Sequence, residues 1–215
     1  MKTMPFSTAV PSLAAAILLA APLSHAGPPR YHVRAGGTGD GSSWALAGSN
    51  VQTAITTIAT AGGGEVWIAA GTYIPTSWPN GGGAAREVHF ALANGVRVLG
   101  GFPPSGDPGL TERDPGANPV ILSGNVCDPK VATDNAYHVF YHVAGLDNSA
   151  VLDGCTVTQG NANAASGIHR FGAGMCNDGS SPTLLRCVLT DNHSALDGAG
   201  IYNSTSDPVA SHCVF

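Results

Sequence analysis

Gly172-Ala173-Gly174-Met175-Cys176-Asn177 returns as Gly198-Ala199-Gly200-Ile201-Tyr202-Asn203, and Cys187-Val188-Leu189 returns as Cys213-Val214-Phe215. Pro182 and Pro208 keep the same interval, 26 residues. A fixed period of this size marks an architecture in which each repeat is one supersecondary unit that buries its apolar face only by stacking on a neighbour. An earlier copy fits the same frame. Leu152-Asp153-Gly154-Cys155-Thr156-Val157 aligns with Leu184-Leu185-Arg186-Cys187-Val188-Leu189 at an interval of 32, so six extra residues fall between Val157 and Gly172.

Three columns stay apolar in this alignment: Leu152/Leu184/Ala210, Cys155/Cys187/Cys213 and Val157/Leu189/Phe215. Side chains alternate faces along a strand, so the second and third columns, two residues apart, share a face. The first lies three residues before the second and breaks that parity. A two-residue bend between them restores it and points all three columns into one core. Short strands joined by bends, with like residue stacked above like, predict an all-β fold: a right-handed parallel β-helix, or solenoid. The column Gly154/Arg186/His212 varies freely and reads as a solvent-facing bend where Arg186→Ala should be mild.

These residues also carry a family resemblance. Leu189-Thr190-Asp191-Asn192 followed by Gly198-Ala199-Gly200-Ile201 resembles the FxxN and GGA[ILV] repeats of chlamydial-type polymorphic outer-membrane proteins, with Leu in place of Phe and the middle two residues of the second element varied. The runs Glu65-Val66-Trp67-Ile68-Ala69-Ala70-Gly71-Thr72-Tyr73, Leu99-Gly100-Gly101-Phe102 and Ile121-Leu122-Ser123-Gly124 resemble the N-terminal turns of large secreted bacterial proteins with such repeats. The resemblance covers most of residues 31–215. It implies the fold shared with pectate-lyase-like proteins, and it leaves activity open, because such proteins include adhesin-like surface proteins as well as distant relatives of pectate lyases.

Residues 1–26 read as a secretory signal peptide: Lys2 gives the positive start, residues 13–21 the apolar core, and Ser24-His25-Ala26 the cleavage site. The apolar run is too short to cross about 30 Å of hydrocarbon, so no integral membrane segment is expected after cleavage. Residues 27–64 read as an N-terminal strand and a capping helix. Ser49-Asn50-Val51-Gln52 fits a capping box, Val51, Ala54, Ile55 and Ile58 share a face, and Gly62-Gly63-Gly64 ends the helix. Such a helix would cover the open apolar end of the first turn. Residues 65–215 read as the β-helix turns, with strands expected at 65–69, 88–92, 96–99, 120–122, 137–143 and 150–157. The Pro- and Gly-rich loops 75–85 and 102–117 should protrude. Phe215 aligns with Leu189 inside a strand, so the solenoid is expected to be truncated at its C-terminus.

A net charge of −5 with only two Lys gives no electrostatic support for a nucleic-acid or anionic-membrane partner. The carboxylates form no ladder in the registered turns: Asp153 has Leu185 and Ser211 in its column, Asp178 has Ser204, and Asp191 has Gln159. No catalytic residue, cofactor or metal ligand is therefore assigned. His138 and His142, about 13 Å apart along one strand face, cannot chelate one ion, and turn or surface positions are expected for the histidines. The column cysteines read as small buried hydrophobes, while the pairing of Cys127 and Cys176 is left open. Asn177 and Asn203 read as stacked amides bonding from one turn to the next. The remaining candidate is the longer loop 163–171, where His169, Arg170 and Phe171 form a possible ligand-contact patch. The expected function is a secreted or cell-surface, non-catalytic β-helix that binds a glycan or a surface protein. The alternative is a pectate-lyase-like polysaccharide lyase or hydrolase.

Overall fold

The computed structural model describes residues 27–215; the segment read as a signal peptide lies outside the described residues. Its strands are β1 (Arg30–Val33), β2 (Gly64–Ala69), β3 (Gly71–Tyr73), β4 (Val96–Phe102), β5 (Val120–Ser123), β6 (Phe140–His142), β7 (Val151–Asp153), β8 (Thr156–Thr158), β9 (Asn161–Ala162), β10 (Met175–Asp178), β11 (Thr183–Leu185), β12 (Val188–Thr190), β13 (His193–Ser194), β14 (Ile201–Ser204) and β15 (Val209–Ser211). Among the described residues, one α-helix, α1 (Val51–Thr60), and a few 3₁₀ turns complete the regular structure.

All strand pairs are parallel, in an all-β arrangement of four sheets: β1-β2-β4-β7-β11-β15, β14-β10-β6, β12-β8-β5-β3 and β13-β9. From β7 onward the chain visits the sheets in a repeating order. β7, β8, β9 and β10 are followed by β11, β12, β13 and β14, and β15 rejoins the first sheet.

The register agrees with the sequence alignment. Leu152 pairs with Leu184 and Leu184 with Ala210, Val157 pairs with Leu189, and Met175 pairs with Ile201. Leu152, Cys155, Val157, Leu184, Cys187 and Leu189 all belong to the main core. The bend that this requires is made in the left-handed backbone region, at Gly154 (φ 71°), Arg186 (φ 50°) and His212 (φ 55°). Gln159 (φ 61°) and Asp191 (φ 53°) make the next corner in the same way. Only glycine takes this conformation without cost, and each non-glycine gives up about 1–2 kcal/mol that the stacked core offsets.

The N-terminal helix forms one residue later than expected. Asn50, not Ser49, is the N-cap, and its side chain accepts from the Thr53 N–H at 2.9 Å. Gln52 is consequently free of a capping role and lies buried, donating to the Ala91 carbonyl (3.2 Å) and accepting from its N–H (2.8 Å). The helix packs Val51, Ala54, Ile55 and Ile58 into the main core against β1, β2 and β4.

One further expectation changes. Of the strand expected over residues 88–92, only a single bridge from Phe90 to Phe140 exists. The neighbouring N–H groups are engaged elsewhere, Ala91 by Gln52 and Leu92 by His142 Nε2, which leaves no ladder to extend. Loop 102–117 is exposed over most of its length and is anchored at the buried Pro108. It returns over the outer face of the first sheet, where Trp44, Ala47, Trp67, Ala69, Leu99 and Phe102 form a second core. Phe102 stacks on Trp67 at 4.5 Å and 14°, and the Trp44 indole donates to the Pro108 carbonyl at 2.9 Å.

Candidate functional site

Strand β6 and the segment bridged to it form the floor of a surface cleft of about 210 Å³, with Tyr141 and His89 on that floor. One wall is Gly81, Gly82 and Glu87, from loop 75–85 and the turn after it, and the other is Ile168 and His169, from loop 163–171. The two loops that the sequence singled out thus converge on one site. Glycine is required at Gly82, where φ is 143° and an added Cβ would meet the Trp78 ring at 2.5 Å. The Trp78 indole donates to the Ala84 carbonyl at 3.0 Å, and the Glu87 carboxylate accepts from the N–H groups of Gly83 (2.8 Å) and Ala84 (3.0 Å), so the loop is tied down at both ends. Those backbone bonds, Ala84 first, hold the Glu87 carboxyl below its ordinary range. A second cleft of about 300 Å³ adjoins it across Asn80, whose side chain donates to the Tyr141 carbonyl at 2.6 Å.

The cleft is built from histidines whose proton positions are fixed by their partners. A carbonyl can only accept, so His138 donates from Nδ1 to Gly172 (3.0 Å) and presents a bare Nε2, which accepts from His169 Nδ1 at 2.9 Å. His89 likewise donates from Nδ1 to the Glu87 carbonyl (2.7 Å) and accepts at Nε2 from the Asn80 N–H (3.3 Å). His169 then faces the Glu87 carboxylate with Nε2, 3.9 Å away, and stacks on Tyr137 at 4.7 Å and 15°. Arg86 covers the other side of Tyr137 at 4.2 Å. Burial lowers all three histidines, His138 to about 3.

A second relay crosses the stacked strands. The Leu92 N–H donates to His142 Nε2 (3.1 Å), His142 Nδ1 donates to Asn177 Oδ1 (2.7 Å), and Asn177 Nδ2 donates to Asn203 Oδ1 (2.9 Å). The expected Asn177–Asn203 stack is therefore present, within β10 and β14, and it extends to a histidine one strand earlier. Burial pushes His142 down to about 4. The expectation of turn or surface histidines fails for His32, His89, His138 and His142, all buried; the cause is that each finds backbone or amide partners satisfying its neutral ring.

Arg186 stands exposed at the bend, as expected, and from there reaches a carboxylate. It pairs with Asp153, which is buried on the outer face of the first sheet, and Arg113 holds the other carboxylate oxygen at 2.8 Å. Arg113 also donates to the carbonyls of Gly100 (2.6 Å) and Asp153 (2.8 Å). Glu65, a second buried carboxylate on that face, receives Arg97 at 3.2 Å and the Trp67 indole at 2.8 Å. Both carboxylates are neutralised by fixed partners.

Of the three predicted contact residues, only His169 reaches the cleft. Phe171 packs on Tyr202 at 4.7 Å, and the Arg170 carbonyl accepts from the Leu196 N–H at 3.0 Å, so these two fasten the loop to the following strands. Glu87, His89 and Tyr141 were not singled out by the sequence; the short spacing Glu87-Val88-His89 was the available signal. All five cysteines are free thiols, with Cys127 exposed and Cys176 buried. Among the described residues no three His, Cys, Asp or Glu side chains stand where they could share a metal ion, and no helix is long and apolar enough to cross a membrane. No family model matches the chain, and neither a curated protein nor a solved structure matches it.

Proposed function

We propose that the stacked passages form a right-handed parallel β-helix of the kind found in polymorphic outer-membrane-protein repeats, exported and displayed at the cell surface or secreted, and that the chain binds a glycan or a surface protein without turning it over. The observation that carries the binding reading is the convergence of loops 75–85 and 163–171 on the Tyr141–His89 floor. Aromatic faces with hydrogen-bonding edges, held rigid by backbone contacts, suit the alternating apolar and hydroxylated surfaces of a sugar ring. Glu87 is the only carboxylate lining the cleft, whereas glycoside hydrolysis takes two flanking the bond.

Incubation of the full-length secreted protein with immobilised neutral and acidic polysaccharides tests this. Binding without unsaturated or reducing products, weakened by His169→Ala and little changed by Arg170→Ala, is the expected result. Calcium-dependent cleavage abolished by replacement of a single Asp or Arg would establish the lyase alternative.

A further inference from the structure

Five buried side-chain nitrogen or oxygen atoms among the described residues have no hydrogen-bond partner: Arg34 Nε and the Oδ1 atoms of Asn125, Asp134, Asn135 and Asn161. The four oxygens belong to residues of the turn 124–136 and of the start of β9, which is bonded to that turn. The Ala136 N–H donates to the Gly124 carbonyl at 2.7 Å, so Asn125 and Asn135 flank a single closure of the turn 124–136. Asn161, at the start of β9, donates its N–H to the Ala136 carbonyl (2.8 Å) and its Nδ2 to the Ala132 carbonyl (2.7 Å). Asp134 turns back into the same loop, accepting from the Asp128 N–H at Oδ2 (3.2 Å), next to Pro129, whose carbonyl takes the Asn125 Nδ2 (3.4 Å).

The orientation of two of these oxygens is set by the other half of the amide. Rotating the Asn125 or Asn161 amide would present NH₂ instead of oxygen, at the loss of the bonds that Nδ2 makes to Pro129 and Ala132. Asn135 and Asn161 are 4% and 6% exposed, so their lone pairs are removed from bulk water. Each unpaired buried acceptor costs about 1–3 kcal/mol. Four acceptors with no donor among them call for an external partner, and one hard cation can serve several at once.

We infer that the turn 124–136 and β9 form a Ca²⁺ site built from the Oδ1 atoms of Asn125, Asp134, Asn135 and Asn161. The donor set is all oxygen, which disfavours zinc and copper, and its mostly neutral amides in an irregular turn suit Ca²⁺ rather than the strict octahedron of Mg²⁺. A single carboxylate makes the site weak, and the Arg86 guanidinium, bonded to the Asn135 and Asn161 carbonyls at 2.6 and 2.9 Å, weakens it further. Affinity in the range of about 10⁻⁴ to 10⁻³ M, as for extracellular calcium modules, follows. The ion would fasten the turn to β9 and steady Arg86, which supports Tyr137 and through it His169.

Calorimetric titration of the chelator-treated full chain with CaCl₂, alongside thermal unfolding in CaCl₂, MgCl₂ and NaCl of equal ionic strength, tests the site. One Ca²⁺ per chain, bound with Kd of about 10⁻⁴ to 10⁻³ M and raising Tm above the NaCl control, is expected. Asn125→Asp, which adds a carboxylate, should tighten binding about tenfold, and Asp134→Asn should remove it. Absence of a calcium-specific Tm rise in the wild type, an equal rise with MgCl₂, or an unchanged affinity in Asn125→Asp would overturn the assignment. If Asp134→Asn does not fold, the Asn125→Asp comparison decides.

Discussion

His138 Nε2 accepts a 2.9 Å hydrogen bond from His169 Nδ1, and because His138 Nδ1 is committed to the Gly172 carbonyl, a proton added to His138 must displace the His169 Nδ1 proton from that contact. His142 is constrained in the same sense, with its bare nitrogen already accepting from Leu92. Both rings are neutral in the fold, at about 3 for His138 and about 4 for His142, whereas an unfolded histidine titrates near 6.5. A folded value depressed below the unfolded one means that the unfolded chain takes up more protons as pH falls. The stabilisation is complete above the unfolded value and is lost on acidification through the window from about 6.5 towards 4. The upper limit is about 1.4 kcal/mol per pH unit for each ring. Urea unfolding at neutral pH and at two more acidic points checks this; equal stability throughout would refute it.

Asp153 divides its two arginines unequally. Arg113 is 11% exposed and also holds two backbone carbonyls, whereas Arg186 is 51% exposed. Arg113→Ala should cost about 3–5 kcal/mol, because it strips a buried carboxylate of its main partner. Arg186→Ala should cost no more than about 1 kcal/mol, since solvent screens that pair and Arg113 remains. Arg186→Gly should be the more stable of the two Arg186 variants, as glycine relieves the left-handed backbone. Chemical denaturation of the three variants gives the ranking, and a larger loss for Arg186→Ala than for Arg113→Ala would contradict it.

Leu184 is fully buried between Leu152 and Ala210. Leu184→Ala should cost about 2–5 kcal/mol through the cavity it leaves. Leu184→Asp places an unpaired charge in the core and should abolish the cooperative unfolding transition. Circular dichroism melts separate the outcomes, and a folded Leu184→Asp variant would be incompatible with the stacked core.

The cysteines should differ in reactivity. Burial pushes Cys155 and Cys176 up to about 12, and the neighbouring Cys213 thiol, ahead of burial, raises Cys187 as well. The Cys187 thiol in turn lowers Cys213. Under native conditions iodoacetamide should modify Cys127, which is exposed, and Cys213, with the other three protected until unfolding. Peptide mass mapping of the alkylated protein reads this directly, and early modification of Cys155 would contradict the packing.

The interval of 26 residues, the apolar columns of Leu184, Cys187 and Leu189, and the apolar face of the helix were legible in the sequence alone, because stacking demands like residues at like positions and leaves a periodic trace. The bend at residue 154 was legible from parity alone. The earlier pairing of Phe140 with Met175 was not, since long insertions between β4 and β7 destroy the period. His169 was identified from its loop, but its partners were not: His138, Glu87 and Tyr141 come from segments whose separation in sequence says nothing about distance. Arg186 was legible as an exposed bend residue, but its pairing with the buried Asp153 carboxylate was not. The sequence by itself determined which residues stack, since that depends on repetition along the chain. The tertiary structure decided which polar groups meet, since hydrogen bonds and ion pairs form across the stack between residues that share no pattern.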